Sequence, residues 1–374
     1  MITLLKTKLK TVLALLLIVV LMVLVNGCSS EKPAEKESVP TKVVTDFLGR
    51  EAKIPAKVER IGCLYAFSGH VTAMLGRGDD MVAVVNGLKR DKLLTEMVPS
   101  IKEALVPKSG AINIEELIRA NPDFVFVQTD TAQNPGETEK LDKAGIPYLA
   151  VDFRNMKEQQ AIIEMIGQAI GREEKAKKYI TYYNDCIDLV TKRVSELPKA
   201  KKVRVYHSVN EAVRTDRPDT LPADWTQAAG AINVSLDKKI RQSGDKSYTS
   251  LEQIYLWDPD VIIANEQGVA KYILETPQWA GLRVVKTRKV YQMPNGVSRW
   301  GHPGSLETPL ALLWTAKTLY PELFEDIDMV RETQQFYREF WSFNVSDEVA
   351  EQILSGEGMR IKKQNKEQVD KNAY

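Results

Sequence analysis

The sequence is poor in the residues that build cross-linked or metal-rich proteins. Cysteine occurs 3 times in 374 residues and never as a C-x-x-C pair, which excludes a disulfide scaffold, a zinc ribbon and an iron–sulfur cluster. Histidine also occurs only 3 times, which leaves little room for His-rich metal chemistry. Excess charge is lacking too, because 51 Lys and Arg balance 50 Asp and Glu. The net charge of +1 therefore gives no electrostatic reason to bind nucleic acid.

The rest of the composition is that of an ordinary folded protein. Hydrophobic residues make up 44% of the chain and charged residues 27%, which argues against wholesale disorder. At roughly 100–200 residues per domain, the chain is long enough for two or three domains.

The N-terminal segment has the pattern of a secretory signal. Lys6, Lys8 and Lys10 precede an unbroken apolar run over residues 12–25. As a helix this run would reach roughly 21 Å, short of the ~30 Å hydrocarbon core of a bilayer. We therefore expect residues 1–27 to be a cleaved signal peptide rather than a permanent membrane span.

The apolar run ends in the residues LVNGC at positions 24–28, which resemble the lipobox of bacterial lipoproteins. The resemblance implies cleavage before Cys28 and lipidation of that cysteine. Residues 29–41 are polar and contain two prolines, so they are expected to form a flexible tether. The resemblance implies that this cysteine carries more than one acyl chain, which anchors a protein stably. We therefore expect the protein on the extracytoplasmic face of the cell membrane. The alternative is an uncleaved anchor with a chance cysteine.

A helix–proline–strand pattern occurs twice in the chain, 137 residues apart. The copies are IEELIRANPDFVFV at 114–127 and LEQIYLWDPDVIIA at 251–264. In each, apolar positions at i, i+3 and i+4 lead to a proline and then to an apolar run. This order predicts a short helix followed by a buried strand. The repeat therefore predicts two similar α/β halves with parallel strands.

A single long helix is predicted between these halves. Residues 172–197 contain neither glycine nor proline and are rich in helix-forming residues. Their apolar side chains are spaced alternately by three and four residues, which predicts an amphipathic helix. At 1.5 Å per residue the helix would extend about 39 Å, enough for a rigid connection.

Together, the lipobox, the two halves, the long helix and the repeated E-x-x-x-x-x-x-P-D element resemble one family. It is the class III solute-binding lipoproteins of ABC importers. The stretches AMLGRGDDMVA at 73–83 and QWAGL at 278–282 agree with that family, and the resemblance covers residues 43–350. It implies an α/β fold of two Rossmann-like lobes joined by one long α-helix, with a ligand cleft between the lobes.

The resemblance also implies a non-catalytic function with no resident cofactor. The protein would capture an iron chelate, such as a ferric siderophore or haem, and deliver it to an ABC permease dimer with its ATPase subunits. Cobalamin and molybdate or tungstate are alternative ligands within the same family. An oxyanion would need a small, donor-rich cleft, whereas a siderophore or tetrapyrrole needs a wide one. Enzymes with a similar two-lobe layout call for cysteine cluster ligands or an acid–base group, and the sequence shows no such arrangement.

The predicted organisation has six parts. They are a signal peptide at 1–27, a lipidated cysteine and tether at 28–42, an N-terminal lobe at 43–171, a connecting helix at 172–197, a C-terminal lobe at 198–354 and a polar tail at 355–374, expected to be frayed.

One exposed glutamate on each lobe docks to the permease in that family. The matching residues are Glu115 and Glu252, each the first acid of its repeat copy. Two acids at equivalent positions would set the orientation on a symmetric basic receptor. The alternative is a solvated acid in the first turn of a helix, where the helix dipole favours it.

Polar residues that follow the predicted strands are the candidate ligand contacts, because open α/β sheets bind ligands at the carboxyl ends of their strands. They are Tyr65, Arg154, His207, Arg299, Trp300 and His302.

Two of these candidates suit an anionic, flat chelate. Arg299 could pair bidentately with a carboxylate or catecholate, and Trp300 could stack on the ligand. Both could instead be structural, Trp300 as a plug at the lobe edge and Arg299 as a helix cap. Tyr65, His207 and His302 could ligate iron directly, although a lone histidine at a strand end is usually a hydrogen-bonded structural residue.

Overall fold

The computed structural model describes residues 40–236, 240–244 and 246–361. The predicted signal peptide, Cys28, most of the predicted tether and residues 362–374 lie outside the described residues.

The first half of the chain contains short strands. They are β1 (Thr41–Thr45), β2 (Glu51–Pro55), β3 (Ile61–Cys63), β4 (Met81–Val84), β5 (Lys108–Ser109), β6 (Ala111–Ile112), β7 (Phe124–Gln128) and β8 (Tyr148–Val151). A parallel sheet has the order β4-β3-β7-β8. The pairs β1–β2 and β5–β6 are antiparallel.

The second half of the chain forms a larger, mixed sheet. Its strands are β9 (Arg204–Ser208), β10 (Arg214–Thr215), β11 (Ile232–Asn233), β12 (Arg241–Ser243), β13 (Lys246–Tyr248), β14 (Val261–Ala264) and β15 (Val290–Gln292). The order is β12-β13-β10-β9-β14-β15, with β11 also paired to β9. The strands β11, β9, β14 and β15 run parallel, so their carboxyl ends meet at one edge of the sheet.

Helices follow the strands in both halves. In the first half they are α1 (Ala66–Thr72), α2 (Lys92–Met97), α3 (Ile114–Ala120), α4 (Thr129–Ala132), α5 (Pro135–Ala144) and α6 (Met156–Ile170). They continue with α7 (Glu173–Val194), α8 (Leu221–Ala228), α9 (Leu251–Trp257), α10 (Val269–Glu275), α11 (Arg283–Lys286), α12 (Thr308–Leu319), α13 (Met329–Trp341) and α14 (Asp347–Ser355).

Both copies of the sequence repeat form the predicted helix and strand, α3–β7 and α9–β14. Each helix begins with a side-chain cap, since Asn113 and Ser250 accept backbone N–H groups. Each ends at a left-handed residue before the proline, Asn121 at φ 47° and Asp258 at φ 39°. The α/β fold with parallel strands in each half is therefore as predicted, whereas the antiparallel strands β10, β12 and β13 of the second sheet were not predicted.

The long helix predicted over residues 172–197 is α7, Glu173–Val194. Its buried face includes Tyr179 and Tyr183. The hydroxyl of Tyr183 donates to Gln159 Oε1 at 2.8 Å, and Gln159 Nε2 donates to the carbonyl of Ser305 at 2.8 Å. These bonds fix α7 to α6 and to the segment that precedes α12. The proposed lobe boundaries remain predictions.

One continuous apolar core serves both sheets. Buried side chains extend from Val44 to Met359 and include Phe126 of the first sheet and Ile263 of the second. Among the described residues, no helix combines the length and the apolar character that a membrane span requires.

The predicted fraying of the C-terminal tail is wrong for residues 355–361. Ile361 N donates to the carbonyl of Arg90 at 2.9 Å, and Lys92 N donates to the carbonyl of Met359 at 3.1 Å. Polar composition alone suggested a free tail, whereas backbone hydrogen bonds hold this part of it against the first half of the chain.

Candidate ligand-binding site

The carboxyl ends of the two sheets meet at Gly304. A Cβ atom placed on Gly304 would lie 3.6 Å from Tyr65 Oη and 3.9 Å from His302 Nδ1. Tyr65 follows β3 of the first sheet, and His302 follows β15 of the second. Two of the predicted ligand residues, Tyr65 and His302, therefore border the space beside Gly304, which we call the gap.

Arg299 joins the ends of three strands in the second sheet. Its Nη1 donates to Asn210 Oδ1, which follows β9, at 2.5 Å, and to the carboxylate of Glu266, which follows β14. The side chain is only 14% exposed, and in the described part of the chain Nη1 alone of its guanidinium nitrogens is hydrogen-bonded. Burial lowers the pKa of Arg299, which Glu266 partly offsets, but a guanidinium stays charged. Its remaining N–H groups are available to an anion.

His302 is a neutral donor beside this charge. Its Nδ1 accepts the N–H of Gly304 at 3.2 Å, which places the ring proton on Nε2. Burial lowers the pKa of His302 well below its ordinary value, and the positive charges of Arg299, Arg360 and Arg214 act in the same direction. The imidazole therefore offers an N–H without adding charge.

Tyr65 supplies a second neutral donor from the first half. Burial raises the pKa of Tyr65, as do the nearby carboxylates of Asp152 and Asp130. The phenol stays protonated and can donate its O–H across the gap.

His207 belongs to a buried network close enough to His302 that it also lowers the pKa of His302. Its Nδ1 lies 2.8 Å from Asp216 Oδ2, and its ring meets the edge of Trp225 at a centroid distance of 5.3 Å. In the described ranges its Nε2 is buried and has no hydrogen-bond partner. No group of three or more His, Cys, Asp and Glu residues there could hold a metal ion. Direct iron ligation by Tyr65, His207 and His302 stays a prediction.

Trp300 and Arg154 differ in their exposure. Trp300 is fully buried, so stacking on a ligand stays a prediction that requires the ring to leave its buried position. Arg154 is exposed and pairs with Glu158, Nη2 to Oε1, at 3.2 Å. It lines a cavity of about 490 Å³ to which the second half of the chain contributes Asp219 and Thr220.

A buried carboxylate that the sequence analysis missed holds the site loop in place. Glu307 accepts the backbone N–H of Val297 at 3.1 Å and of Ser298 at 2.6 Å, and the hydroxyl of Ser298 at 2.7 Å. It also accepts the hydroxyl of Tyr337. Burial raises the pKa of Glu307, against the effect of these donors. In the sequence, Glu307 is indistinguishable from an ordinary acidic residue at the start of a helix.

Both predicted docking glutamates are exposed. Glu115 lies in the first turn of α3 and Glu252 in the first turn of α9. Exposed apolar side chains lie three residues further along each helix, with Ile118 at 53% and Tyr255 at 39% exposure. In both copies of the sequence repeat, an exposed glutamate is thus followed three residues later by an exposed apolar side chain.

Two cysteines of the described residues are buried, Cys63 in β3 and Cys186 in α7. Burial raises the pKa of each thiol to about 12, so neither is a reactive thiolate.

A two-sheet α/β fold with convergent donors at its strand ends defines a ligand-binding protein, and comparison with known proteins identifies its class. The profile of the periplasmic binding protein family matches residues 61–296. The chain belongs to this family, whose members serve ABC importers.

Curated relatives extend over most of the chain. The molybdate-binding protein MolA of Haemophilus influenzae is 26% identical over 328 residues, covering 80% of this chain and 91% of that protein. The ABC transporter substrate-binding lipoprotein YvrC of Bacillus subtilis is 25% identical, covering 81% and 95%. The iron-uptake system-binding protein of the same organism is 23% identical, covering 71% and 84%.

A solved structure supports the fold. The periplasmic solute-binding protein of Veillonella parvula superposes with a TM-score of 0.72 at 25% identity, covering 84% of this chain and 97% of that one. The relatives are binding proteins of transport systems, and they differ in the ligand that their names state.

Proposed function

We propose that this protein is the extracytoplasmic substrate-binding component of an ABC importer for a small oxyanion of the molybdate and tungstate class. The observation that carries the proposal is the set of polar side chains around Gly304. Tyr65 and His302, both neutral, lie beside this glycine, and Arg299 supplies a partly buried positive charge that acts on His302.

The charge of the site favours an anion. Guanidinium N–H groups match the oxygen atoms of an oxyanion better than any other side chain does. Because Tyr65 is protonated and His302 is neutral, neither competes with the anion as a negative group. The similarity to a molybdate-binding protein over most of both chains supports the same class.

The close surroundings of Gly304 favour a small ligand. Tyr65 Oη and His302 Nδ1 both lie within 4 Å of one Cβ position on Gly304. Space bordered at such short distances suits a tetrahedral oxyanion better than a planar tetrapyrrole. An iron chelate, the first expectation from the sequence, stays the main alternative because one relative is an iron-uptake protein.

The remaining predicted roles complete the proposal. Lipidation of Cys28 would hold the protein at the membrane, and Glu115 and Glu252 would orient it on the permease dimer. The exposure of both glutamates and the lipoprotein among the relatives support these roles.

The test is a ligand panel on the lipid-free chain that begins at Ser29. Tryptophan fluorescence and calorimetry would be recorded with molybdate, tungstate, sulfate, haem, cobalamin and several ferric siderophores. We expect saturable binding of molybdate or tungstate. Loss of one buried charged partner costs about 2–5 kcal/mol, so Arg299→Gln should weaken it at least about 30-fold.

The matched control is Arg338→Gln, which makes the same charge change at an exposed residue of α13. Its affinity should equal that of the unaltered chain. Tight binding of a ferric siderophore or haem, with no response to either oxyanion, would contradict the proposed ligand and restore the iron chelate.

A further inference from the structure

The end of the described chain connects the second half of the molecule to the first. Residues 356–361, here called the C-terminal strap, follow α14 directly. The last turn of α14 is bonded to residues 295–302, here called the site loop because it carries two of the predicted ligand residues that reach the candidate site. Asn295 N, at the start of this loop, donates to the carbonyl of Ile353 in α14 at 2.9 Å. The strap therefore starts from a helix that is fixed to the site loop.

The far end of the strap pairs with the first half of the chain. Two backbone hydrogen bonds hold it there, Lys92 N to Met359 O at 3.1 Å and Ile361 N to Arg90 O at 2.9 Å. The bridge between these two bonds is antiparallel. The side chain of Met359 is buried and belongs to the apolar core that serves both sheets. Backbone bonds and a core side chain thus hold the strap against the first half.

Asp91 connects the strap to the helix that follows Tyr65. Its Oδ1 lies 3.4 Å from Arg360 Nε of the strap. Its Oδ2 lies 3.0 Å from His70 Nε2, and the side chains of this pair are both buried. His70 belongs to α1, which begins at the residue after Tyr65. A continuous series of contacts therefore leads from the strap to the part of the first half that borders the gap.

We infer that the C-terminal strap sets the separation of the two halves at the ligand gap and that its release opens the gap. The long helix α7 also joins the halves, but the strap is bonded close to the segments that carry Tyr65 and His302. This inference rests on the site proposed at Gly304 and adds the element that controls access to it.

The strap should act on the balance between a closed and an open arrangement of the gap. One backbone hydrogen bond contributes enough net free energy to shift such a balance about 2- to 10-fold. Loss of one strap bond should raise the population of the open arrangement by this factor. The rate of ligand dissociation should rise with it, because the side chains proposed to contact the ligand are unchanged.

The first pair of variants changes the far end of the strap. Ile361→Pro removes the N–H that bonds to Arg90, and a following proline permits the extended conformation of Arg360. Ile361→Ala is the matched control, because it keeps the N–H and trims a side chain that is 51% exposed.

The second pair changes the near end. Gly356 has φ 74°, and a Cβ atom there would lie 2.4 Å from the carbonyl oxygen of Met293. Gly356→Ala should therefore displace the strap from the second half. Gly145→Ala is the control, since Gly145 ends α5 at φ 66° and no described atom lies within 4 Å of its Cβ position.

Two measurements on the chain that begins at Ser29 report on the gap. Spin labels at the exposed positions of Arg119→Cys and Lys271→Cys would give the distance between the halves by pulsed electron paramagnetic resonance. Stopped-flow fluorescence would give the dissociation rate of molybdate. Both strap variants should add a population at longer distance and raise this rate about 2- to 10-fold. Both controls should match the unaltered chain, and circular dichroism melting would confirm that all four variants fold.

The outcomes separate this inference from the proposed function. If folded strap variants keep the distances of the unaltered chain, the strap does not set the separation and the inference is overturned. A longer distance with an unchanged dissociation rate would also overturn it, because the strap would then act away from the gap. If the unaltered chain binds a ferric chelate and no oxyanion, the proposed ligand is wrong, and the distances together with the dissociation rate of that chelate decide on the strap.

Discussion

The buried carboxylate of Glu307 should be a main support of the ligand site. The perturbation is Glu307→Ala, which removes the acceptor of two backbone N–H groups and two hydroxyl groups. The affected turn at residues 296–298 leads directly into Arg299. Loss of this carboxylate should therefore reduce both stability and ligand affinity.

The loss in the free energy of unfolding depends on which of these donors keep another acceptor. Val297 N–H keeps Tyr337 Oη at 3.0 Å, and the Ser298 hydroxyl keeps Ser305 Oγ at 3.1 Å. The backbone N–H of Ser298 and the hydroxyl of Tyr337 lose their acceptor inside the protein. An unsatisfied buried donor costs about 1–3 kcal/mol. Part of this loss is offset, because alanine removes the free-energy cost of burying a carboxyl group. We expect a net loss of about 2–4 kcal/mol in the free energy of unfolding.

The assay is urea denaturation followed by tryptophan fluorescence, with calorimetric titration of the folded variant. Glu325→Ala at an exposed position serves as the control and should change the free energy of unfolding by less than about 0.5 kcal/mol. A loss below about 0.5 kcal/mol in Glu307→Ala, with unchanged ligand affinity, would refute the reasoning.

Three further predictions follow from the same structure. Burial raises the pKa of Glu307 in the folded state, so the unfolded chain releases this proton first as pH rises. Relative to the Glu307→Gln variant, the free energy of unfolding should fall as pH rises from the ordinary glutamate pKa of about 4.3 through the raised pKa of Glu307. Parallel profiles of this free energy against pH, measured by urea denaturation of both proteins, would contradict this. Gly304→Ala should fold normally because its Cβ meets only ordinary contacts at 3.6 and 3.9 Å. The larger Gly304→Leu should fill the gap and weaken oxyanion binding at least about 10-fold, and calorimetry showing full affinity would place the ligand elsewhere. The double variant Glu115→Ala, Glu252→Ala should abolish transport in whole cells while leaving ligand affinity unchanged, and lost affinity would show that these acids serve the fold or the cleft.

Local sequence signals were sufficient for the framework of the fold. The repeat predicted α3–β7 and α9–β14 because each copy carries a capping residue, an apolar helix face and a proline stop within one short segment. The long helix α7 followed from a stretch without glycine or proline. The prediction of a frayed tail was wrong for residues 355–361, because the order of this segment depends on backbone pairing with residues 90–92. Composition does not report contacts between distant segments.

The candidate site was predictable only in part, for the same physical reason. Tyr65, Arg299 and His302 follow strands, and the parallel sheets bring such residues to one edge. The place of Tyr65 and His302 at Gly304, the burial of Trp300 and the exposure of Arg154 depend on loop conformations that spacing does not determine. Glu307 gave no local signal, because its partners come from other segments of the chain.

The most direct test of the account is anomalous diffraction from crystals of the mature chain grown with tungstate. Tungsten would report the position of the anion without any assumption about its ligands. We expect one ordered peak in the gap at Gly304, with tungstate oxygens about 2.7–3.2 Å from donor atoms of Arg299, Tyr65 and His302. An ordered peak only elsewhere on the molecule, or an empty gap at saturating tungstate, would contradict it.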